Sequence, residues 1–532
     1  MSIDNKSIAP VHTLISSKER IFITISVMIG AFMAVLDTTI IDVVLPKMMG
    51  PLSTDLYGIQ WVITSYMIAA ATALLFVENF AKYLGYSYTF TVGMIIFTIA
   101  SFFCGNAHTL AEMITFRSIQ GIGEAFIMAC AQTILMLVYP PERKGLALGI
   151  YGLGVSFAPA LGPTLGGFLT EHLNWRWVFF VNVPIGILNV LNSFIILPKF
   201  LGKHKIFQFN FISYIFIAFA TISLLIMLSK GQQYGWFQSL FIIKCLFISL
   251  ASFCLFFASE LYFFYKGKHT LIEWKIFKFP EYTWSMGFYF FILGFGIYQI
   301  FYLLPLYYEN LKGLTTFQTG LHMLPPAALI GTFSIISGAL SDRIPPGFIL
   351  FFNWILFLII SFFIFPKLNY YLPAYKAVLL TLPLGICIGT FFAPLTNLAM
   401  RKLGPLTGLG VALMHYIRFI GGSFGTALAT NHLERHTTIN FTRITELQNW
   451  YYVKYFIESK IPLISKFFPP ELAEKKAKVL LYHAQYVQAQ SWAFQDTFRA
   501  TGFWGLIGGC FLIILFLSKL RSFLRLFYLK YK

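Results

Sequence analysis

The chain has 532 residues, 58% of them hydrophobic and only 11% charged, with a formal net charge of +18 and a mean hydropathy of +0.72. Soluble domains carry about 25% charged residues, so a water-facing surface of this size is excluded and lipid is the solvent for most of the chain. The basic excess falls in short segments between apolar runs; it reads as membrane topology, and no nucleic-acid partner is expected.

A hydrocarbon core about 30 Å thick needs roughly 20 apolar residues in a helix. Runs of that kind lie near 21–46, 58–77, 87–106, 109–138, 145–170 and 175–198, then at 210–229 and 238–265. Six more lie near 283–308, 317–340, 348–366, 374–398, 404–430 and 498–518, which makes fourteen helices in an all-α polytopic membrane protein. The first run is too long for a cleavable signal and holds Asp37 and Asp42. With the N-terminus in the cytoplasm, 21 Lys and Arg fall in cytoplasmic segments and five in short outer loops: Lys47, Lys230, Lys312, Lys367 and Lys376. One missed helix would scramble that ratio, so both termini are expected inside. Residues 431–496 form a longer outer segment with eight Lys and Arg, and long loops cross regardless of charge. Within it, Pro470 followed by Glu471 and Glu474 reads as a helix start, and a small outer subdomain is expected. The six cysteines all lie in apolar runs and read as small buried hydrophobes. They offer no disulfide framework and no metal spacing, and no cofactor is expected.

Ionisable groups at bilayer depth cost about 2.5–3.5 kcal/mol each, so each calls for a reason. In the first helix Asp37 and Asp42 are five residues apart, roughly 140° around the axis. Arg117, Gln120 and Glu124 share one face of the fourth helix, Arg418 lies in the thirteenth, and Glu260 lies near the inner end of the eighth. Asp37, pulled one way by desolvation and the other by a cation such as Arg117, suits a carboxylate that loads and releases a proton. A fixed ion pair locking two helices is the plainer alternative. In the fifth helix Gly154, Ala158, Gly162 and Gly166 recur every four residues, with Pro159, Pro163 and Gly167 among them. That pattern predicts a smooth contact face on a bent helix.

Taken together, these motifs resemble the major facilitator superfamily, in particular its 14-helix drug:proton antiporter branch (EmrB/QacA type), from about residue 21 to 518. The run from Leu36 to Pro46 looks like that branch's first-helix signature, and Arg117-Ser-Ile-Gln120-Gly121-Ile-Gly123 like its proton-transfer motif. The glycine–proline run from Gly154 to Gly167 looks like its antiporter motif. Asn174-Trp175-Arg176-Trp177, Asn182-Val-Pro184, Leu304-Pro305 and Arg418-Phe-Ile-Gly421-Gly422 are similar to further branch features. Gly338-Ala-Leu-Ser-Asp342-Arg343 resembles the cytoplasmic gate motif, while its first-half counterpart, which keeps Lys82 and Gly85, is degraded. The resemblance implies a first six-helix bundle at 21–198, a linker with an extra hairpin at 199–282, and a second bundle at 283–518. Cytoplasmic termini at 1–20 and 519–532 complete the arrangement.

It further implies a proton-driven exporter of drugs or small amphipathic molecules in the inner membrane, working by alternating access. Asp37, Arg117 and Glu124 would couple protons, and Asp42, Gln120, Asn182, Glu309 and Arg418 would line the cargo cavity. Asp42, Glu124 and Glu309 stand where the branch usually has Asn, a small residue and Gln; added acids suit cationic cargo or a changed proton stoichiometry, and the plainer alternative is carboxylates paired with Arg or exposed at the rim. A periplasmic adaptor and an outer-membrane channel are the implied partners, with 431–496 as the docking surface. The rivals are export or import of one metabolite, such as a siderophore, and a receptor on the same scaffold. An ATP-driven pump is not expected, because the chain has no phosphate-binding GxxxxGK[ST] loop, and an intramembrane enzyme is not expected, because His108, His322 and His415 are scattered on different helices.

Overall fold

The computed structural model describes Thr13, residues 15–197 and residues 209–530. The side chains of Asp42, Val43, Leu56, Ala160, Pro470 and 519–530 lie outside the described residues, as do Lys6, Lys199, Lys203, Lys205 and Lys532. All regular structure among the described residues is helical. The principal helices are α1 (Ser17–Met48), α2 (Trp61–Leu84), α3 (Tyr86–Gly105), α4 (Leu110–Val138), α5 (Lys144–His172) and α6 (Asn182–Ile196). Next come α7 (Phe211–Lys230), α8 (Leu240–Tyr265), α9 (Pro280–Leu311), α10 (Thr316–Arg343), α11 (Pro346–Ile359) and α12 (Ala374–Met400). Last are α13 (Thr407–Leu447), the short α14 (Trp450–Ile464) and α15 (Pro470–Lys530).

Local chemistry sets the starts. Ser16 and Glu19 close a capping box on α1, with Glu19 N donating to Ser16 Oγ at 3.2 Å and Ser16 N to Glu19 Oε2 at 2.8 Å. Thr109, Asn210 and Thr315 cap α4, α7 and α10, each side chain accepting from the backbone N–H three residues on, and Thr315 with Gln318 completes a second capping box. Between α2 and α3 the chain reverses at a single residue, Gly85, whose φ of 95° a side chain would strain.

Among the described residues twelve helices are long and apolar enough to cross a membrane. Helix α5 makes a thirteenth if its two parts, bent by 42° around Pro159 and Leu161, count as one span. That bend is the one its prolines predict. Outward faces carry Leu188, Ile195, Phe247 and Phe352, each more than 65% exposed, as only a lipid solvent allows. Cys104, Cys130, Cys245 and Cys387 are buried as expected; Cys254 and Cys510 are instead exposed, because they fall on such outward faces.

Helices α7 and α8 form a hairpin at the side of the bundle. Helix α7 bridges α2 and α13 through Thr64–Ser229 and Thr221–Tyr416 hydroxyl pairs, both 2.7 Å. Glu260 does not face a cavity: it accepts from the backbone of Leu271 (2.9 Å) and Ile272 (3.2 Å) and from Trp274 Nε1 (3.1 Å), holding the turn after α8.

Helix α5 is the spine of the site. One edge lies on α1, with Met28 against Gly154 and Thr39 against Gly162, and Thr39 Oγ1 approaches Ala158 O at 3.5 Å. The other edge lies on α10, where Gly149 and Gly338 touch, and near its far end Gly167 meets Phe317. Gly166 is buried between these contacts. The glycines serve one purpose, close backbone approach, and fix the helix that carries Asp37.

Helix α13, 41 residues long, spans about 60 Å at 1.5 Å per residue, twice a hydrocarbon core. Its last turns pair with the first half of α15, Phe441 lying 5.1 Å from Tyr482 ring to ring. These helices and α14 make a projecting tip, and α15 starts at Pro470 as its flanking acids predict.

Candidate functional site

Asp37 lies midway along α1 and is fully buried. Its Oδ2 pairs with Arg117 Nη1, and its Oδ1 accepts from Gln120 Nε2 and Asn182 Nδ2, both at 2.9 Å. Arg117 also donates to Gln120 Oε1 (2.8 Å) and to Val62 O (3.2 Å), and Gln120 Nε2 reaches Ser101 Oγ at 2.8 Å. Tyr66 lies under the guanidinium, 4.1 Å from ring centre to Cζ. Gly121 allows this arrangement, since any side chain there would strike the Tyr66 backbone. Helices α4 and α6 thus meet the α1 carboxylate directly, α2 and α3 support it through Arg117 and Gln120, and the whole cluster is closed to solvent.

A neutral core of similar volume would hold these helices as well. A carboxylate with a cation and two amides around it can do something that core cannot. It can exchange its charge for a proton while its neighbours stay hydrogen-bonded, because the Arg117 Nη2 is unpartnered and Asn and Gln amides serve as donor or acceptor.

Sequence-expected residues separate into two groups. Asp37, Arg117, Gln120 and Asn182 form one cluster, which makes Asn182 a partner of the acid rather than a wall residue. Glu124 does not join it; its Oε1 lies 3.6 Å from Arg418 Nη2, an ion pair at mid-depth between α4 and α13. Seven residues separate Glu124 from Arg117, about 10 Å along the helix. Glu309 lies apart from both, half-buried in a π-helical turn, Tyr307–Leu311. The Asp42 side chain is outside the described residues.

At the end of the bundle that holds Ser17, two carboxylates sit on helix N-termini. Asp342, from α10, accepts from Gly145 N (2.7 Å) and Leu146 N (2.9 Å) in the first turn of α5. Free N–H groups and the positive end of the helix dipole favour that placement. Arg343 is the exposed neighbour at the helix end, and Gly338 lets α5 approach. Its counterpart in the first half is Glu78, which sequence reading missed. Its carboxylate lies against Gly408 in the first turn of α13 with no room for a Cβ, and takes hydrogen bonds of 3.0 and 3.1 Å from Tyr86 Oη. Lys82, one turn on, links Glu78 (3.4 Å) to Glu273 of the α8–α9 connection (3.2 Å). The first-half stretch that resembles the gate motif thus carries its acid one turn earlier than the second-half copy, and Gly85 contributes the reversal that brings Tyr86 round. Glu78→Ala is expected to loosen this end by about 1.5–3 kcal/mol, the range for a hydrogen bond to a charged group. Alkylation of the buried Cys130 should then quicken at least tenfold, and an unchanged rate would assign Glu78 to packing alone.

A helical bundle with a buried charged centre and paired helix-end carboxylates defines a membrane transporter scaffold. The sequence pattern of the Major Facilitator Superfamily matches residues 27–426, and the chain belongs to that family. It is 28% identical over 440 residues to the multidrug export protein EmrB of Escherichia coli strain K12, covering 81% of this chain and 83% of that one. It is 28% identical over 430 residues to the fatty acid resistance protein FarB of Neisseria gonorrhoeae, covering 80% and 83%. In fold it is similar to the proton:xylose symporter XylE, with a TM-score of 0.57 at 13% identity over 92% of this chain and 95% of that one.

Proposed function

We propose that the protein is a proton-driven antiporter that exports drugs or other small amphipathic molecules across the inner membrane by alternating access. The observation that carries this is Asp37, a carboxylate sealed inside the bundle by Arg117, Gln120 and Asn182. When it gains a proton, the pair with Arg117 is released and α1 and α4 are free to shift; when it loses the proton, they lock again. Inward movement of one charge contributes about 2.3 kcal/mol per 100 mV.

In this proposal the bent α5 and the 404–430 part of α13, whose apolar run His415 and Arg418 interrupt, complete fourteen spans. Both termini and the Ser17 end face the cytoplasm. Two bundles, 21–198 and 283–518, rock about the α5–α10 contact, and the 199–282 linker holds the extra hairpin. The test uses everted vesicles and an effluxed dye: accumulation should follow an imposed proton gradient and vanish when it is collapsed. Accumulation that continues without the gradient would refute proton drive, and movement in the opposite direction would refute export.

The tip is the proposed seat of a periplasmic adaptor leading to an outer-membrane channel. Trp450, Tyr451 and Tyr455 of α14 are each more than 70% exposed at the tip, well beyond the span, and aromatic residues of this kind are enriched at protein interfaces. At its base His432 donates to or accepts from Thr497 Oγ1 (3.0 Å) and stacks on His436 at 3.9 Å. Burial and the neighbouring His436 push the His432 imidazole down to about 4. An opened tip would let it titrate near 6.5. The native contact therefore holds above about pH 6.5 and weakens as the pH falls toward 4. Hydrogen exchange over 430–440 and 490–500 should rise across that window, and in His432→Gln it should be flat.

A further inference from the structure

Two buried arginines are used differently. Arg117 donates from Nη1 to Asp37 and Gln120 and from Nε to Val62 O. Arg418, 8% exposed, meets Glu124 only at 3.6 Å, beyond hydrogen-bond reach, and its Nε has no partner. Around this loose pair lie further buried polar atoms without partners: the hydroxyl of Tyr289 and both ring nitrogens of His415. Tyr289, Tyr298, Tyr151 and His415 all lie within electrostatic range of the guanidinium. So does Tyr66 of Glu124. Buried donors left open in this way are costly unless a ligand takes them up.

We propose that Arg418 anchors the carboxylate of an amphipathic, anionic cargo, with Glu124 occupying that place until cargo arrives. The inference rests on the transport reading above and adds the substrate class. A guanidinium presents a planar fork of donors that fits a carboxylate bidentately, and Glu124 at 3.6 Å uses little of it. The Tyr66 hydroxyl, already beside Glu124, can hold the carboxylate when cargo displaces it from Arg418. The apolar remainder of the cargo has aromatic surface beside the anchor: the Phe419 ring lies 5.0 Å from Arg418 Cζ, and Tyr289 stacks on Phe391. One turn from Tyr298, Phe301 lines a narrow apolar cleft of the second half with Leu304, Met323, Ile330 and Leu384, and Ser156 of α5 stands at its edge. Of the three added acids that would suit a cation, Glu124 faces an arginine and Glu309 sits apart, and the Asp42 side chain lies outside the described residues.

The test is equilibrium binding to the purified full chain in nanodiscs, with decanoate and decyltrimethylammonium as probes of equal tail length. Decanoate should bind and the cation should not. Arg418→Gln should weaken decanoate at least tenfold. Glu124→Gln, which removes the competing charge, should tighten it severalfold, a gain that a misfolded chain cannot show. Preference for decyltrimethylammonium, weaker decanoate binding in Glu124→Gln, or unchanged binding in Arg418→Gln would each overturn the proposal. Transport that needs no proton gradient, with these binding results intact, would sink the antiport reading and leave the anchor standing.

Discussion

Replacing Asp37 with Asn is expected to reduce proton-driven accumulation of cargo to the level of vesicles lacking the protein. Asn keeps the shape, its one oxygen can accept from Arg117 and its NH2 can donate to the Gln120 and Asn182 amides once these flip, so the fold should survive while the titratable group is gone. The charge left on Arg117 then has no carboxylate within reach, and its Nη2 already lacks a partner. Removing the cation instead is expected to be worse for the fold. Arg117→Met strands a buried carboxylate between two amides, and breaking a buried pair from one side costs about 3–5 kcal/mol. Thermal unfolding in detergent ranks the two: Asp37→Asn, which keeps a hydrogen bond to the stranded guanidinium, should melt below the wild type, and Arg117→Met lower still. In the double variant Asp37→Asn, Arg117→Gln, stability should return and driven transport should not. A double variant that transports would identify the pair as a structural lock.

Substituting Gly338 with Val is expected to force α5 and α10 apart at the Ser17 end. A Cβ at Gly338 would already fall 2.8 Å from Gly149 Cα, and the two added methyl groups have only backbone to meet. Overpacking of this kind costs about 1–3 kcal/mol. Here the penalty applies only to the closed arrangement, so it shifts the population toward the open one by roughly 5- to 150-fold. Spin labels at exposed positions on the two helix ends should report a longer distance and transport should fall. Asp342→Asn, which weakens the carboxylate cap on Gly145 N and Leu146 N, should shift the distance the same way and by less. An unchanged distance in Gly338→Val would mean the halves do not separate at this contact.

Much of this arrangement could be read from the sequence because lipid makes charge conspicuous. Asp37 and Arg117 stood out as ionisable groups inside apolar runs, and the four-residue spacing from Gly154 to Gly166 marked a contact face before its partner was known. What could not be read depends on register between distant helices. Nothing in the chain shows that Glu124 meets Arg418, 294 residues away. Both were expected in the same cavity, but their pairing follows from how α4 and α13 cross.

Two further features were hidden by local context. Glu78 escaped notice because it lies one turn before the expected motif position, and its partners Tyr86 and Gly408 arrive around a tight turn and from the other half. The long α13 was read as a span ending near residue 430 because hydropathy falls there. The helix itself continues to Leu447, carried by polar residues that pair with α15 instead of lipid.

The most direct measurement is hydrogen-ion movement in sealed proteoliposomes as cargo is moved, with the pH and voltage gradients set by buffer and ionophore. Wild-type protein is expected to move hydrogen ions against cargo and to concentrate cargo only while a gradient persists, and Asp37→Asn is expected to do neither. Equal cargo accumulation with both gradients clamped to zero, or with Asp37 neutralised, would contradict a transport cycle built on that carboxylate.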